Sequence, residues 1–152
     1  MRAIIQRVGY AGVSIDGKTQ SEIKKGFLIL LGVSTADTED DAKYLAEKCS
    51  GLRVFEDENG KMNLSLEDIS GEMLIVSNFT LMADCTRGRR PGFENAARPE
   101  KAIPLYELFC SEAGKTGIPV KTGVFGADMK ISLQNDGPVT LILDTDMMRC
   151  KK

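Results

Sequence analysis

The chain has 152 residues, 42% hydrophobic and 28% charged, which is typical of one globular domain with a real core and excludes disordered and membrane classes. Its formal charge of -2 excludes a generally basic nucleic-acid binder, so any contact with RNA would have to be local. The absence of histidine excludes Ser-His-Asp and Cys-His nucleophile systems and most zinc sites of hydrolases.

The first third of the chain predicts a sheet followed by a helix. Apolar or alternating runs indicate strands over 3–8, 13–15, 22–24 and 26–33. Asp16-Gly17 indicates a hairpin turn, because glycine supplies the positive φ that such turns require. Acidic residues at 39–41, followed by apolar residues at helical spacing, predict a helix over 39–50.

The middle of the chain reads as extended structure and turns. Residues 52–55 indicate a strand, 56–61 a turn, and 62–66 either a strand or an extended loop. The continuous apolar run 73–76 predicts a buried strand.

That buried strand ends in a stretch of small polar residues, followed by a basic loop. Ser77, Asn78 and Thr80 offer two hydroxyls and an amide, which can hold a small polar ligand. Three arginines follow within about ten residues: Arg87, Arg89 and Arg90. Because guanidinium groups match phosphate oxygens, the combination suggests a phosphorylated or nucleic-acid substrate. The alternative is a capped strand followed by a solvated loop.

The last third adds a second helix and further strands. Pro99 predicts a helix start and Gly114 or Gly117 its end, while Pro104 is expected to delay or kink the start. Strands are predicted over 120–122, 129–133 and 139–143, with a turn at 135–138 between the last two. The sum over residues 1–152 is a single α+β domain with a mostly antiparallel sheet covered by two helices.

Two further features concern the compartment. The amino-terminal residues have no apolar region long enough for secretion, and no apolar run is long enough to span a membrane. The cysteines are far apart and form no CxxC pair, so they favour free thiols in a reducing cytoplasm: Cys49, Cys85, Cys110 and Cys150.

Two stretches together resemble the D-aminoacyl-tRNA deacylases. Residues 77–81, Ser-Asn-Phe-Thr-Leu, are similar to the family signature Ser-Gln-Phe-Thr-Leu, and residues 135–140 match Asn-x-Gly-Pro-Val-Thr. The resemblance runs the whole length, from Met1-Arg2-Ala3 through Arg89-Arg90-Pro91 and Phe125-Gly126-Ala127 to Leu143-Asp144. The chain departs from the family at Asn78, where glutamine is usual, so the resemblance leaves the role of this shorter side chain open.

The resemblance implies a barrel-like fold and hydrolysis of the ester of D-aminoacyl-tRNA, and of glycyl-tRNA, as chiral proofreading. It implies a pocket lined largely by main-chain groups, help from the 2′-OH of the terminal adenosine, and no metal or organic cofactor. Ser77, Phe79 and Thr80 would be catalytic-pocket residues, with Thr80 nearest the ester. A covalent role for Thr80 stays open, although no base in the sequence is evident to activate it.

The resemblance also implies a homodimer. A cis Gly137-Pro138 turn would enter the pocket of the twin subunit and exclude L-amino acids, while Arg87, Arg89 and Arg90 would contact tRNA phosphates. Two alternatives remain: a noncatalytic RNA-binding module, and a hydrolase of small D-amino-acid esters that ignores RNA.

Overall fold

The computed structural model describes residues 1–149, in which the chain forms a six-stranded sheet, a two-stranded ribbon, three α-helices and one 3-10 helix. The strands are β1 Arg2–Ile15, β2 Lys18–Ile23, β3 Gly26–Gly32, β4 Phe55–Glu56, β5 Met62–Leu64, β6 Glu72–Ser77, β7 Val120–Thr122 and β8 Met129–Asp144. The helices are α1 Glu39–Ser50, α2 Pro99–Gly114, α3 Thr145–Arg149 and the 3-10 helix Phe79–Met82.

The six-stranded sheet is mixed and strongly curled. Strand β1 pairs antiparallel with β2, β3 and β8, whereas β3–β6 and β6–β7 are parallel. The outer strands β2 and β7 meet, because the Ser21 hydroxyl donates to the Thr122 carbonyl at 2.8 Å and Lys121 Nζ to the Glu22 carbonyl at 2.7 Å. This nearly closed sheet confirms the α+β, barrel-like, mostly antiparallel fold class.

Apolar side chains fill both sides of this sheet. The smaller cluster lies inside the curl and comprises Val8, Ala11, Val13, Ile23, Leu28, Leu74 and Val76. The larger cluster packs the other face against α1 and α2. Strands β3 and β6 are buried on both faces, which explains their continuous apolar sequences.

Both predicted helices form. Helix α1 spans the predicted residues and begins with a capping box, in which Thr38 and Asp41 bond reciprocally. Helix α2 begins at Pro99 and ends at Gly114. The expected delay at Pro104 was wrong, because α2 continues through this residue. The short helix α3 was not predicted.

Strand boundaries were less well predicted. The predicted break between 3–8 and 13–15 was wrong, since β1 is one strand whose partners continue along it. The turn predicted at 135–138 was also wrong. Strand β8 continues through residues 135–138, and both of its halves pair with β1. The pairing register shifts between Gln6 and Tyr10 of β1. Of the predicted strand 52–55, only Phe55 joins a ribbon.

Two other expectations, on membrane spans and on the cysteines, can be compared with the structure of residues 1–149. Within this range, no helix is long and apolar enough to cross a membrane. Cys49, Cys85 and Cys110 are free thiols, and Cys150 lies outside the described residues.

Candidate functional site

A pocket of about 240 Å³ opens where β3 and β6 end. It is lined by the ends of these strands, by α2 and by the loop after β7: Leu31, Val33, Ser77, Asn78, Phe79, Ala97, Ala102, Tyr106, Phe125, Gly126, Ala127 and Met129. Because β3 and β6 are parallel, their carboxyl ends meet at one edge of the sheet. Such edges are common ligand sites in sheets with parallel strands.

The polar stretch 77–81 forms one wall of the pocket. Ser77 is the last residue of β6, and the Asn78 N–H donates to the Leu31 carbonyl at 2.8 Å, which fixes the chain as it leaves the sheet. The 3-10 helix then begins at Phe79. An alanine at Gly32 would place its Cβ 3.1 Å from the Asn78 carbonyl oxygen, so glycine allows this close approach.

Asn78 organises the start of the 3-10 helix. Its Oδ1 accepts the Thr80 N–H at 3.2 Å and also the Thr80 hydroxyl. The first N–H groups of a helix have no acceptor inside it, and Asn78 satisfies that of Thr80, which leaves the Phe79 N–H without an acceptor in the helix. Ser77, Asn78 and Phe79 line the pocket, whereas Thr80 is exposed and is not part of the lining, although its hydroxyl is bonded to Asn78. The structure therefore brings these four residues together.

Aromatic rings form much of the remaining surface. Phe79 is 57% exposed, and its ring meets that of Phe93 edge to face at 5.2 Å. The Tyr106 and Phe125 rings meet similarly at 6.1 Å. These contacts make the pocket predominantly apolar with a few directed polar groups, as small-molecule sites commonly are.

Tyr106 has the only ionisable side chain among the described residues that line the pocket. Its hydroxyl donates to the Ile75 carbonyl at 2.7 Å, and burial raises its pKa well above the ordinary value, so it stays protonated. The pocket thus supplies hydroxyl, amide and main-chain groups, and its described lining offers no general base.

The three loop arginines lie outside the pocket lining. Arg87, Arg89 and Arg90 are exposed in the loop between the 3-10 helix and α2. This loop is anchored at its base by the paired main chains of Asp84 and Gly92, and Phe93 of the same loop contacts Phe79. The structure therefore connects the basic loop to the pocket mouth without bringing its arginines into the pocket.

Gly137 and Pro138 also lie away from the pocket of their own chain. They are exposed in β8, and the peptide bond between them is cis. Buried Arg7 holds this segment, since its Nε donates to the Asp136 carbonyl at 3.2 Å and its guanidinium pairs with the Asp136 carboxylate at 3.1 Å. The Asn135 side chain donates to the Arg7 carbonyl at 3.1 Å and to the Val139 carbonyl at 3.2 Å.

Sequence reasoning missed Arg7 and most of the apolar lining. Arg7 follows the buried residues Ala3 and Ile5 at two-residue spacing, so the strand period places it on the buried face. Tyr106 lies within the predicted second helix and was given no role in a site, and Phe125 was named only as part of the stretch Phe125-Gly126-Ala127 that resembles the family. No local signal joins these segments, because they meet only in the folded chain.

The family model and the curated relatives agree with one another. A family model described as D-Tyr-tRNA(Tyr) deacylase matches residues 4–144. The D-aminoacyl-tRNA deacylase of Geotalea uraniireducens (strain Rf4) is 58% identical over 145 residues, covering 95% of this chain and 94% of the relative. That of Thermus aquaticus is 57% identical over 145 residues, covering 95% of each.

Two solved structures are also similar. The "c-Myc DNA Unwinding Element Binding Protein" has a TM-score of 0.90 and 41% identity, covering 95% of this chain and 99% of that chain. A structure titled "probable eukaryotic D-amino acid tRNA deacylase" has a TM-score of 0.78 and 16% identity, covering 94% of this chain and 98% of that chain. At this identity the similarity supports the fold alone.

Proposed function

Since the chain belongs to the D-Tyr-tRNA(Tyr) deacylase family, we propose that it hydrolyses the ester joining a D-amino acid to tRNA, releasing the free amino acid and the tRNA. One observation in the structure supports the proposal: the 77–81 stretch borders a pocket whose described lining includes Ser77, with its hydroxyl, and Asn78, with its amide, and contains no general base. Such a pocket suits an ester that is already activated.

In the proposed reaction, the protein positions the ester and stabilises the negative charge that develops on its carbonyl oxygen. Water adds to the ester carbonyl carbon, the carbonyl oxygen becomes an oxyanion, and the bond to the ribose oxygen of the tRNA breaks. The main-chain N–H of Phe79, at the start of the 3-10 helix, stabilises the oxyanion. The neighbouring 2′-OH of the terminal adenosine assists the proton transfers, so the protein needs no metal, organic cofactor or side-chain base.

Thr80 acts in this proposal as a positioning residue and not as a nucleophile. Its hydroxyl donates to Asn78 Oδ1, which is an amide oxygen and too weak a base to activate it. The Asn78 side chain also accepts the Thr80 N–H and so fixes the start of the 3-10 helix. The shorter side chain at position 78 therefore still serves as a cap.

Chiral selection is assigned to Gly137 and Pro138 of a second copy in a homodimer. Both residues are exposed and do not line the pocket of their own chain, which is consistent with a role in the pocket of another subunit. Their carbonyl oxygens would meet an L side chain and leave room for a D side chain or for glycine. D-aminoacyl-tRNA and glycyl-tRNA would then be substrates, and L-aminoacyl-tRNA would be excluded.

The tRNA acceptor end is assigned to the basic loop. Arg87, Arg89 and Arg90 are exposed on the loop whose Phe93 contacts Phe79, so they can contact phosphates while the ester enters the pocket. We place this reaction in the cytoplasm, where aminoacyl-tRNA is used in translation.

Deacylation by the purified protein tests the proposal. We expect release of amino acid from D-tyrosyl-tRNA and glycyl-tRNA and none above background from L-tyrosyl-tRNA. A D-tyrosine alkyl ester serves as the RNA-free control, and equal activity on it would favour a small-ester hydrolase.

A noncatalytic nucleic-acid-binding module remains the second candidate, because one similar solved structure is named for binding a DNA element. Binding of tRNA without release of any amino acid would support this candidate and contradict the hydrolase.

A further inference from the structure

The 3-10 helix Phe79–Met82 lies against the end of strand β3. A Cβ on Gly32 would be 3.0 Å from Leu81 Cβ and 3.1 Å from the Asn78 carbonyl oxygen, so the helix occupies the space that a side chain would fill. The Asn78 side chain holds the start of the helix by accepting the Thr80 N–H at 3.2 Å. A helix of four residues has few internal hydrogen bonds, so its other end needs a further contact to stay in place.

Arg2 supplies a contact at that other end. Its Nη1 donates to the Leu81 carbonyl at 2.7 Å. The last carbonyl groups of a helix have no donor inside it, and a cation there also suits the partial negative charge of the helix end. A charged donor makes a stronger hydrogen bond than a neutral one. The guanidinium of Arg2 is therefore well suited to hold this helix.

The Asp144 carboxylate orients the guanidinium. Its Oδ2 accepts Nε of Arg2 at 2.8 Å and lies 2.8 Å from Nη2. Asp144 is only 7% exposed, and its Oδ1 accepts the Asp146 N–H at 3.0 Å, so the carboxylate is itself held in place. Because the guanidinium is planar and rigid, fixing two of its nitrogens also fixes the direction of the third. Nη1 is thereby directed at the Leu81 carbonyl.

These contacts form a row across three strands. Arg2 of β1 pairs with Gly32 of β3 on one side and with Asp144 of β8 on the other. Directly paired residues point to the same face of a sheet. The helix lies on this face at Gly32, where no side chain intervenes, and Asn78 and Phe79 line the pocket. The row thus connects the end of β8 to one wall of the pocket.

We propose that Arg2 is a positioning residue for the deacylation reaction. By holding the Leu81 carbonyl, it fixes the helix whose first N–H group, that of Phe79, stabilises the oxyanion; this inference rests on the proposed function. Arg2 is not among the described residues that line the pocket, so it acts through the helix and not on the substrate. Because the oxyanion forms only in the transition state, loss of Arg2 should lower kcat and leave KM nearly unchanged.

Arg2→Leu tests this by removing every donor of the side chain. We expect kcat for D-tyrosyl-tRNA at 20 °C to fall about 10-fold, because a displaced helix misplaces the oxyanion donor, while KM changes less than about 2-fold. Arg53→Leu is the matched control, since Arg53 Nε also donates to a main-chain carbonyl, that of Asn63 at 2.6 Å, and should leave both constants unchanged. An unchanged kcat for Arg2→Leu, or a loss confined to KM, would overturn the proposal.

Asp144→Asn separates positioning from the loss of a charge. It should lower kcat by itself, and the double variant with Arg2→Leu should lose no more activity than Arg2→Leu alone, because both changes act through one contact. Additive losses would contradict the proposal. If Arg2→Leu does not fold, Arg2→Lys takes its place, because one ammonium cannot hold Asp144 and Leu81 as the guanidinium does. Its kcat should fall about 3-fold, and a native kcat would overturn the proposal.

NMR spectra of the native and Arg2→Leu proteins give a measurement that does not require deacylation. We expect the amide resonances of Phe79 and Thr80 to shift and the Thr80 N–H to exchange faster with solvent, because its bond to Asn78 depends on the position of the helix. Unchanged resonances would overturn the inference. Shifted resonances in a protein whose native form releases no amino acid would contradict the proposed function while supporting the contact between Arg2 and the helix, so the two failures are distinguishable.

Discussion

Arg7 is a charged residue placed where the strand pattern requires an apolar one. It is 3% exposed, and its guanidinium donates to the Val54 carbonyl at 2.6 Å and to Glu56 at 3.0 Å, besides Asp136. It therefore joins three segments that are distant in sequence and supports the exposed Gly137 segment of β8.

Replacing Arg7 by leucine should lower the free energy of unfolding by about 3–5 kcal/mol, because carbonyl and carboxylate partners remain without a donor. Arg7→Lys should recover only part of this loss, since one ammonium cannot reproduce the guanidinium geometry. Urea denaturation measures both. Arg53→Leu is the control, because Arg53 donates at an exposed site to the Asn63 carbonyl. Equal losses for Arg7 and Arg53 would contradict the role assigned to Arg7.

Substitution of a single residue, Thr80, tests the proposed reaction mechanism. Thr80→Ala should lower the single-turnover deacylation rate about 10- to 100-fold, because a positioned turn is loosened. Loss of a true nucleophile costs about 10⁶-fold. Thr80→Ser, which keeps the hydroxyl donor to Asn78, is the control and should retain most activity. An aminoacyl-Thr80 ester detected by mass spectrometry would overturn the main-chain mechanism.

At the scale of elements, helix α1 shows how far local signals extend. Its acidic first turn and apolar spacing predicted its bounds, and the structure adds the capping box of Thr38 and Asp41. Burial alone would raise the pKa of Asp41, but hydrogen bonds from the Thr38 hydroxyl and N–H and the charge of Arg149 hold it below its ordinary value of 3.8.

Thr38→Ala should therefore destabilise the protein by about 1 kcal/mol, as loss of an N-cap typically does. Because the pKa of Asp41 is lowered by folding, its contribution is present above pH 3.8 and is lost as pH falls through the lower folded value. The variant should thus differ least from the native protein in strong acid. Thermal unfolding across pH measures this, with the exposed Thr35→Ala as control. A pH-independent difference would argue against it.

At the scale of the whole molecule, the proposed contact with tRNA can be tested through its dependence on salt. If Arg87, Arg89 and Arg90 contact phosphates, tRNA binding should weaken with salt by a log-log slope of about -0.7 per contact with single strands. Arg87→Ala with Arg89→Ala should reduce that slope by about 1.4. The control replaces two exposed lysines, Lys18 and Lys61, with alanine. If both pairs change the slope equally, the loop has no special role.

The dimer proposal can be tested by mixing subunits. A Cβ on Gly137 would meet only Asn135 Oδ1, at 3.9 Å, so Gly137→Ala should fold normally yet impair a partner's pocket. Gly137→Ala subunits are then mixed with Thr80→Ala subunits and allowed to exchange. Because each pocket would receive its turn from the partner, every heterodimer would have one pocket with both substitutions and one pocket with neither. Activity should then recover to about a quarter of the native value, since half of the dimers are mixed and half of their sites work. No recovery, or a monomer that rejects L-substrates, would contradict it.

The sequence by itself determined the elements whose physical causes are local. The caps and spacing of α1, the apolar run of β6 and the turn at Asp16-Gly17 depend on neighbours in the chain, so they were predictable. The 77–81 stretch was also recognisable, because its polar groups directly follow a buried strand. Together with the second stretch at 135–140, it identified the family.

Only the tertiary structure decided the rest. The strands β1 and β8 are continuous through segments with weak strand signals, because each is paired along its length with the other. The pocket combines segments 31–33, 77–79, 97–106 and 125–129, and no periodicity relates residues so far apart. The buried charge of Arg7 is possible only because distant partners compensate for its desolvation. Such compensation arises from the packed chain and cannot be read from local sequence.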